Sequence, residues 1–209
     1  MLSLIANSVI AYLIGSLSGS LLLGRLKHLD IRNFGSGNAG GTNALRAGGF
    51  TFALGVVVID VGKGVLAATL PLCLDWGSPA HPAGPSACAM AAIVGHCYPI
   101  WHGFRGGKGA ATAVGGVLVI QPLALVPMLA VWLLCLTITG WVGLATMLAG
   151  ITLVPALAWL DVAREVIVFG VAVALFLVFT HRKNIRAMLD GSEYRFERVR
   201  LRNWIRRDS

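Results

Sequence analysis

The sequence predicts an all-α polytopic membrane bundle of seven transmembrane helices, with the N-terminus outside and the C-terminus in the cytoplasm. Three observations predict it. Of 209 residues, 56% are apolar and only 12% charged, about half the roughly 25% charge of a typical soluble domain. The mean hydropathy is +0.78. The apolar residues also fall in runs close to the roughly 20 that a spanning helix needs, without the period-2 alternation of a membrane β-barrel. Disorder, coiled coil and an ordinary cytosolic enzyme fold are excluded together.

The first span is residues 2–24. No Lys or Arg precedes Arg25, so it lacks the basic start of a cleaved signal peptide. Gly15 and Gly19 give it a small-xxx-small face for close helix packing. Residues 48–72 form a second span and 85–100 a short third. Residues 109–138 are ambiguous. As one helix they would run roughly 45 Å, well beyond a hydrocarbon core of about 30 Å. Gln121-Pro122 lies at the midpoint, where a helix breaks most easily, so two short spans fit better. Residues 141–159 and 164–180 complete the set.

Charge fixes the orientation. Lys and Arg total 17 against 9 Asp and Glu, a net charge of +8. From His181 to Ser209 there are nine Lys/Arg and four Asp/Glu, a net of +5. With seven spans, this tail joins the basic loops 25–46 and 96–108 on the cytoplasmic side, as the positive-inside rule requires. With six, it would be stranded outside. The same rule, with attraction to anionic membrane lipids, explains the basic balance without nucleic acid as a partner. Cys73, Cys88, Cys97 and Cys135 have no metal-type spacing and read as small buried hydrophobes.

Three polar, glycine-rich segments interrupt the apolar pattern, all on the cytoplasmic face of the seven-span arrangement. The first, GSGNAGGTNALR, runs from Gly35 to Arg46. Its glycines let backbone N–H groups turn inward as an anion nest, and its Ser, Thr and Asn side chains add donors. Arg46 can fork onto a phosphate or carboxylate. Gly35, Gly37 and Gly40 match G-x-G-x-x-G, but a membrane helix precedes them where a dinucleotide fold needs a strand. A flexible helix-to-helix connection is the plainer alternative.

The second, GHCYPIWHGFRGGKGAAT, runs from Gly95 to Thr112. Gly106-Gly107-Lys108-Gly109 resembles a phosphate loop. Lys108 is followed by Gly and residue 102 is His, so it is not a nucleotide P-loop. It still offers backbone donors, Arg105 and Lys108 where a helix begins, and a helix N-terminus favours phosphate. Positive-inside anchoring fits Arg105 and Lys108 equally. His96 and His102 stand six apart, which is no helical metal pair, and no metal site is expected.

The third, HRKNIRAMLDGSE, runs from His181 to Glu193, where the last span meets the cytoplasm. His181 can act as a general base near neutral pH. Asn184 shares its helix face and can orient the ring or a substrate. Arg182, Lys183 and Arg186 can hold anions or anchor the helix end. Asp60 and Lys63, three apart in an apolar span, are either a self-compensated structural pair or part of the site.

Together the three segments resemble the acyl-phosphate:glycerol-3-phosphate acyltransferase (PlsY) family, whose motifs they match in order and at similar spacing over nearly the whole chain. Asp60 and Lys63-Gly64 are similar to a pair in that family's second span. Ala187 departs from the pattern, standing where the family commonly has a basic residue. The resemblance implies a single integral membrane acyltransferase domain, residues 1–209, in a bacterial inner membrane, with its active site and a short basic tail, about 181–209, on the cytoplasmic side. It implies transfer of a fatty acyl group from acyl-phosphate to the sn-1 hydroxyl of glycerol-3-phosphate. The products would be lysophosphatidate and inorganic phosphate, in the first acylation of bacterial phospholipid synthesis. A soluble enzyme would supply the acyl-phosphate.

The residues agree with that chemistry. An acyl-phosphate is already an activated anhydride, so no cofactor, nucleotide or metal is expected; the task is to hold two phosphates and orient one hydroxyl. On this resemblance Gly35, Ser36, Gly37, Asn38, Thr42, Asn43 and Arg46 surround the acyl-phosphate headgroup, with Ser36 and Arg46 catalytic. Arg105, Gly106, Gly107, Lys108 and Gly109 hold glycerol-3-phosphate. His181 and Asn184 are catalytic, orienting the hydroxyl, and Arg182 binds substrate. Asp60, Lys63 and His96 give support, and Glu193 is structural, pairing an arginine. A small transporter of an organic phosphate is the alternative, disfavoured because the polar motifs lie at one edge and no internal repeat is present.

Overall fold

The computed structural model describes residues 1–74 and 81–199. Among these residues it is helical throughout its regular structure, with no strand. Two compact units divide the chain, Met1–Pro122 and Leu123–Ser209.

The first unit begins with α1 (Leu2–Gly15) and α2 (Gly19–Leu26). They form one apolar path bent by 40° at Ser16–Ser18 rather than one straight helix. The break separates the tasks of the two glycines expected to share a face. A Cβ on Gly15 would overlap the Ala92 backbone, whereas one on Gly19 would meet Ile59 and the Val56 carbonyl at 3.0 Å. Each glycine therefore admits a different neighbouring helix.

α3 (Gly41–Cys73) is longer than expected because the second half of the first motif is its opening turns. Gly49, at φ 78°, kinks it just before the apolar stretch, a backbone geometry that glycine adopts freely. α4 (Gly84–Cys97) and α5 (Ala110–Ile120) complete the unit. α5 lies close against α3, since a Cβ on Gly64 would strike the Thr112 carbonyl and one on Gly115 the Val61 carbonyl. Behind the first motif, Ile31, Ala44, Phe52, Ala53 and Val56 form a buried apolar cluster.

The second unit contains α6 (Leu125–Thr139), α7 (Val142–Trp159), α8 (Arg164–Thr180) and α9 (Arg182–Leu189). α5 ends at Ile120 and α6 starts at Leu125, so the expected break at Gln121-Pro122 is present. α7 packs against both α6 and α8. Leu153 and Leu157 of α7 lie against Gly170, and Leu177 of α8 against Gly150, in the α7–α8 seam. The outward faces stay apolar, with Val126, Leu129, Leu134 and Leu175 all exposed, as expected of helices solvated by lipid.

Three helical segments, Gly41–Cys73, Pro122–Thr139 and Val142–Trp159, are each long and apolar enough to cross a membrane. The bent pairs α1–α2 and α8–α9 pass the same test when each is taken together. α4 and α5, of 14 and 11 residues, are shorter than a straight crossing needs.

Candidate active site

In the first unit the two glycine-rich segments are held side by side. The first starts from a capped turn: Asp30 accepts from the Arg32 backbone N–H at 3.0 Å and pairs with the Arg32 guanidinium at 2.7 Å. Those Arg32 bonds hold the Asp30 carboxyl below the usual carboxylate range. Gly35 (φ 53°) and Gly37 (φ 68°) then reverse the chain in the left-handed region. A Cβ on Gly35 would press on Asn43 Oδ1, so glycine is required there for space as well.

Asn43 organises this loop. Fully buried, it donates through Nδ2 to the carbonyls of Ile31 at 2.8 Å and Phe34 at 3.0 Å, and its Oδ1 accepts from the Ser36 N–H at 3.2 Å. Its carboxamide thus shapes the loop that presents Ser36. Ser36 and Arg46 are exposed, while Asn38 and Thr42 are half-buried. The Arg46 stem lies 3.7 Å from where a Gly35 Cβ would stand, so Arg46 flanks the same turn.

The second segment folds back on the end of α4. Gly106 N–H donates to the Cys97 carbonyl at 3.2 Å and Gly107 N–H to the His96 carbonyl at 3.1 Å. Gly109, at φ 89°, caps α5, so the first N–H groups of that helix lie directly after Lys108. The two segments meet where the Ala39 N–H donates to the Gly106 carbonyl at 3.4 Å, and Ser20 Oγ donates to the Ala39 carbonyl at 3.1 Å. Arg105 is exposed; Gly106, Gly107 and Lys108 are half-buried. His102 lies on the same connection, and burial, with the cations of Arg25 and Arg32 nearby, holds its imidazole below the ordinary value.

Beneath these loops Asp60, Lys63 and His96 form a buried polar cluster. Lys63 Nζ is 2.9 Å from Asp60 Oδ1 and 2.7 Å from His96 Nδ1, and it donates to the Leu17 carbonyl at 2.9 Å. Asp60 Oδ1 also accepts from the Gly19 N–H at 3.2 Å. The charge pair therefore satisfies both backbone ends left open by the α1–α2 break, which lipid could not. The spacing of Asp60 and Lys63 signals the pair, but nothing local in the sequence signals that His96 joins it.

In the second unit His181 is buried at the 51° bend between α8 and α9. Its Nδ1 lies 2.8 Å from the Leu177 carbonyl. A carbonyl only accepts, so the neutral ring carries its hydrogen on Nδ1 and keeps Nε2 basic. Asn184, on the next turn, donates to Glu193 Oε1 at 2.7 Å and packs on Gly143. Glu193, expected to pair an arginine, accepts from Asn184 among the described residues. Arg182 donates to the Phe179 carbonyl at 3.0 Å and lies over the Phe179 ring at 4.3 Å, tying its guanidinium to the end of α8. Cys88, Cys97 and Cys135 are buried as expected, but Cys73, at the last turn of α3, is exposed. Among the described residues no three His, Cys, Asp or Glu side chains are grouped to hold a metal ion.

Residues 5–191 match a family profile described as glycerol-3-phosphate acyltransferase. Similar proteins include the glycerol-3-phosphate acyltransferases of Chlorobaculum parvum, 36% identical over 93% of this chain and 97% of that protein, and of Chlorobium chlorochromatii, 37% identical with the same coverage. Two crystal structures of PlsY, an integral membrane glycerol 3-phosphate acyltransferase, have the same fold. The glycerol 3-phosphate form aligns with a TM-score of 0.85 at 32% identity, covering 93% of this chain and 96% of that one. The lysophosphatidic acid form gives 0.84 at 31%, covering 93% and 95%. With a profile match spanning most of the chain and solved relatives of the same fold, the protein belongs to the glycerol-3-phosphate acyltransferase family and is an integral membrane protein.

Proposed function

We propose that the protein transfers a fatty acyl group from acyl-phosphate to the sn-1 hydroxyl of glycerol-3-phosphate, yielding lysophosphatidate and inorganic phosphate. The observation that carries this reading is the pair of glycine-rich loops tied through Ala39 and Gly106. Two anion-binding loops side by side suit a reaction that brings two phosphates together. In the transfer, the hydroxyl oxygen bonds to the acyl carbonyl carbon, the bond from that carbon to the phosphate oxygen breaks, and the hydroxyl proton passes to a base. The activated anhydride makes this possible without nucleotide or metal.

Ser36, Asn38, Thr42 and Arg46, with the backbone of Gly35 and Gly37, bind the acyl-phosphate headgroup, and Asn43 acts by holding that loop in shape. Gly106, Gly107 and Gly109, with Arg105 and Lys108, bind glycerol-3-phosphate. His181 serves the hydroxyl proton, a role supported by the tautomer that the Leu177 carbonyl favours, and Asn184 orients it. Arg182, held at the end of α8, binds substrate at the headgroup level. The protein crosses a bacterial inner membrane seven times, N-terminus outside, with both loops and the tail at the cytoplasmic side. A soluble enzyme supplies the acyl-phosphate there.

The test is purified protein with labelled glycerol-3-phosphate and palmitoyl-phosphate. Formation of 1-acyl lysophosphatidate is expected, and it should drop sharply in Ser36→Ala and His181→Ala while both variants stay inserted and folded. A 2-acyl product would refute the assigned position, and full activity of either variant would remove that residue from the site.

A further inference from the structure

The buried Asp60–Lys63–His96 cluster touches the second glycine-rich loop directly. His96 Nδ1 lies 2.7 Å from Lys63 Nζ and 3.5 Å from Asp60 Oδ1; an ammonium can only donate, and the shorter contact makes Nδ1 the accepting nitrogen. The neutral His96 ring therefore carries its hydrogen on Nε2. That edge of the ring faces Gly107: a Cβ built there would overlap Nε2 and stand 2.7 Å from Cε1 and 2.9 Å from Cδ2. The His96 carbonyl meanwhile accepts from the Gly107 N–H at 3.1 Å. One residue thus meets Gly107 twice, by its ring and by its backbone. Lys63 fixes that ring, and is itself fixed by Asp60 and the Leu17 carbonyl.

We propose that His96 and Lys63 are positioning residues for the phosphate of glycerol-3-phosphate. Lys63 sets the tautomer and orientation of the His96 ring, and the ring sets where the Gly106–Gly109 backbone meets its anion. The proposal rests on the acyltransferase reading above, in which this loop binds that substrate.

The test has a kinetic and a spectroscopic arm. His96→Asn retains a polar atom near Nδ1 for Lys63 and removes the ring edge from Gly107; His96→Gln reaches further toward Gly107. Removing the ring edge against which the Gly107 backbone is packed lets the loop shift, and a shift of binding groups of this kind predicts about a tenfold rise in KM for glycerol-3-phosphate in His96→Asn. Its kcat and its KM for acyl-phosphate should stay within about twofold, and His96→Gln should recover most of the loss. An unchanged KM in folded His96→Asn, or KM and kcat moving together for both substrates, overturns the proposal. In the second arm, nitrogen-15 histidine spectra of the wild-type protein in detergent, with His96 assigned by its absence from the variants, should show Nδ1 accepting and Nε2 carrying hydrogen. Lys63→Met should abolish that preference. Hydrogen on Nδ1 in the wild type overturns the proposal. This arm does not depend on turnover, so a protein that makes no lysophosphatidate but shows the expected tautomer fails the functional reading alone.

Discussion

Adding one methyl group at Gly107 would press it into a ring that has no room to yield. The new Cβ would stand 2.7 Å from His96 Cε1 and 2.9 Å from Cδ2, whereas ordinary van der Waals contact begins at 3.4 Å. The loop or the ring must therefore move by at least 3.4 − 2.7 = 0.7 Å. His96 is 3% exposed and its ring is bonded to Lys63, so the loop is the part that moves. Overpacking of this kind costs about 1–3 kcal/mol, and displacement of binding groups by about 1 Å can cost on the order of a hundredfold. Gly107→Ala should raise KM for glycerol-3-phosphate by roughly ten- to a hundredfold, leaving the acyl-phosphate KM near its wild-type value. Initial rates of lysophosphatidate formation across both substrate concentrations measure this, with thermal unfolding as the check on folding. Removing the ring removes the clash, so Gly107→Ala with His96→Ala should resemble His96→Ala alone rather than multiply the two penalties. Independent, multiplying penalties would refute the steric argument, as would an unchanged KM in Gly107→Ala.

Asp60→Asn leaves the Lys63 ammonium buried without its carboxylate and should destabilise the protein by about 3–5 kcal/mol; unfolding in detergent should show a lowered Tm, partly restored by adding Lys63→Met. Exposed Cys73, outside in the proposed seven-span arrangement, should react with a membrane-impermeant maleimide on intact cells, while buried Cys88, Cys97 and Cys135 react only after denaturation; labelling confined to inverted vesicles would reverse the proposed orientation. The His102 imidazole is held below its ordinary 6.5 in the folded chain, so the unfolded chain takes up a proton first as pH falls. Stability should therefore decline as pH drops below 6.5 and level off once the folded imidazole is also protonated, and His102→Gln should flatten that decline in Tm measured against pH.

Helix boundaries set by local signals were legible in the sequence. α7 and α8 lie within a residue of the expected 141–159 and 164–180, and the helix breaks where Gln121-Pro122 interrupts it. The break at Ser16–Ser18 was not legible, because no proline marks it and the groups that satisfy it, Asp60 and Lys63, lie some forty residues away. For the same reason Gly15 and Gly19 read as one packing face when they serve two. Residue types and spacing picked out all three polar segments, but not the division of labour within each. Asn43 looks like any other donor in the first segment until its bonds to Ile31, Phe34 and Ser36 show it shaping the loop. The bond from Asn184 to Glu193 was not legible, because it depends on the turn at Gly191 that brings Glu193 back beside α9.

In the proposed reaction an activated acyl-phosphate, rather than a thioester, supplies the acyl group to glycerol-3-phosphate. The most direct measurement incubates the purified protein with labelled glycerol-3-phosphate and either palmitoyl-phosphate or palmitoyl-CoA, without metal or nucleotide, and counts lysophosphatidate against released inorganic phosphate. Product is expected from palmitoyl-phosphate alone, with one phosphate released per lysophosphatidate formed. Product from palmitoyl-CoA alone would contradict the donor, and no product from either with folded protein would contradict the reaction.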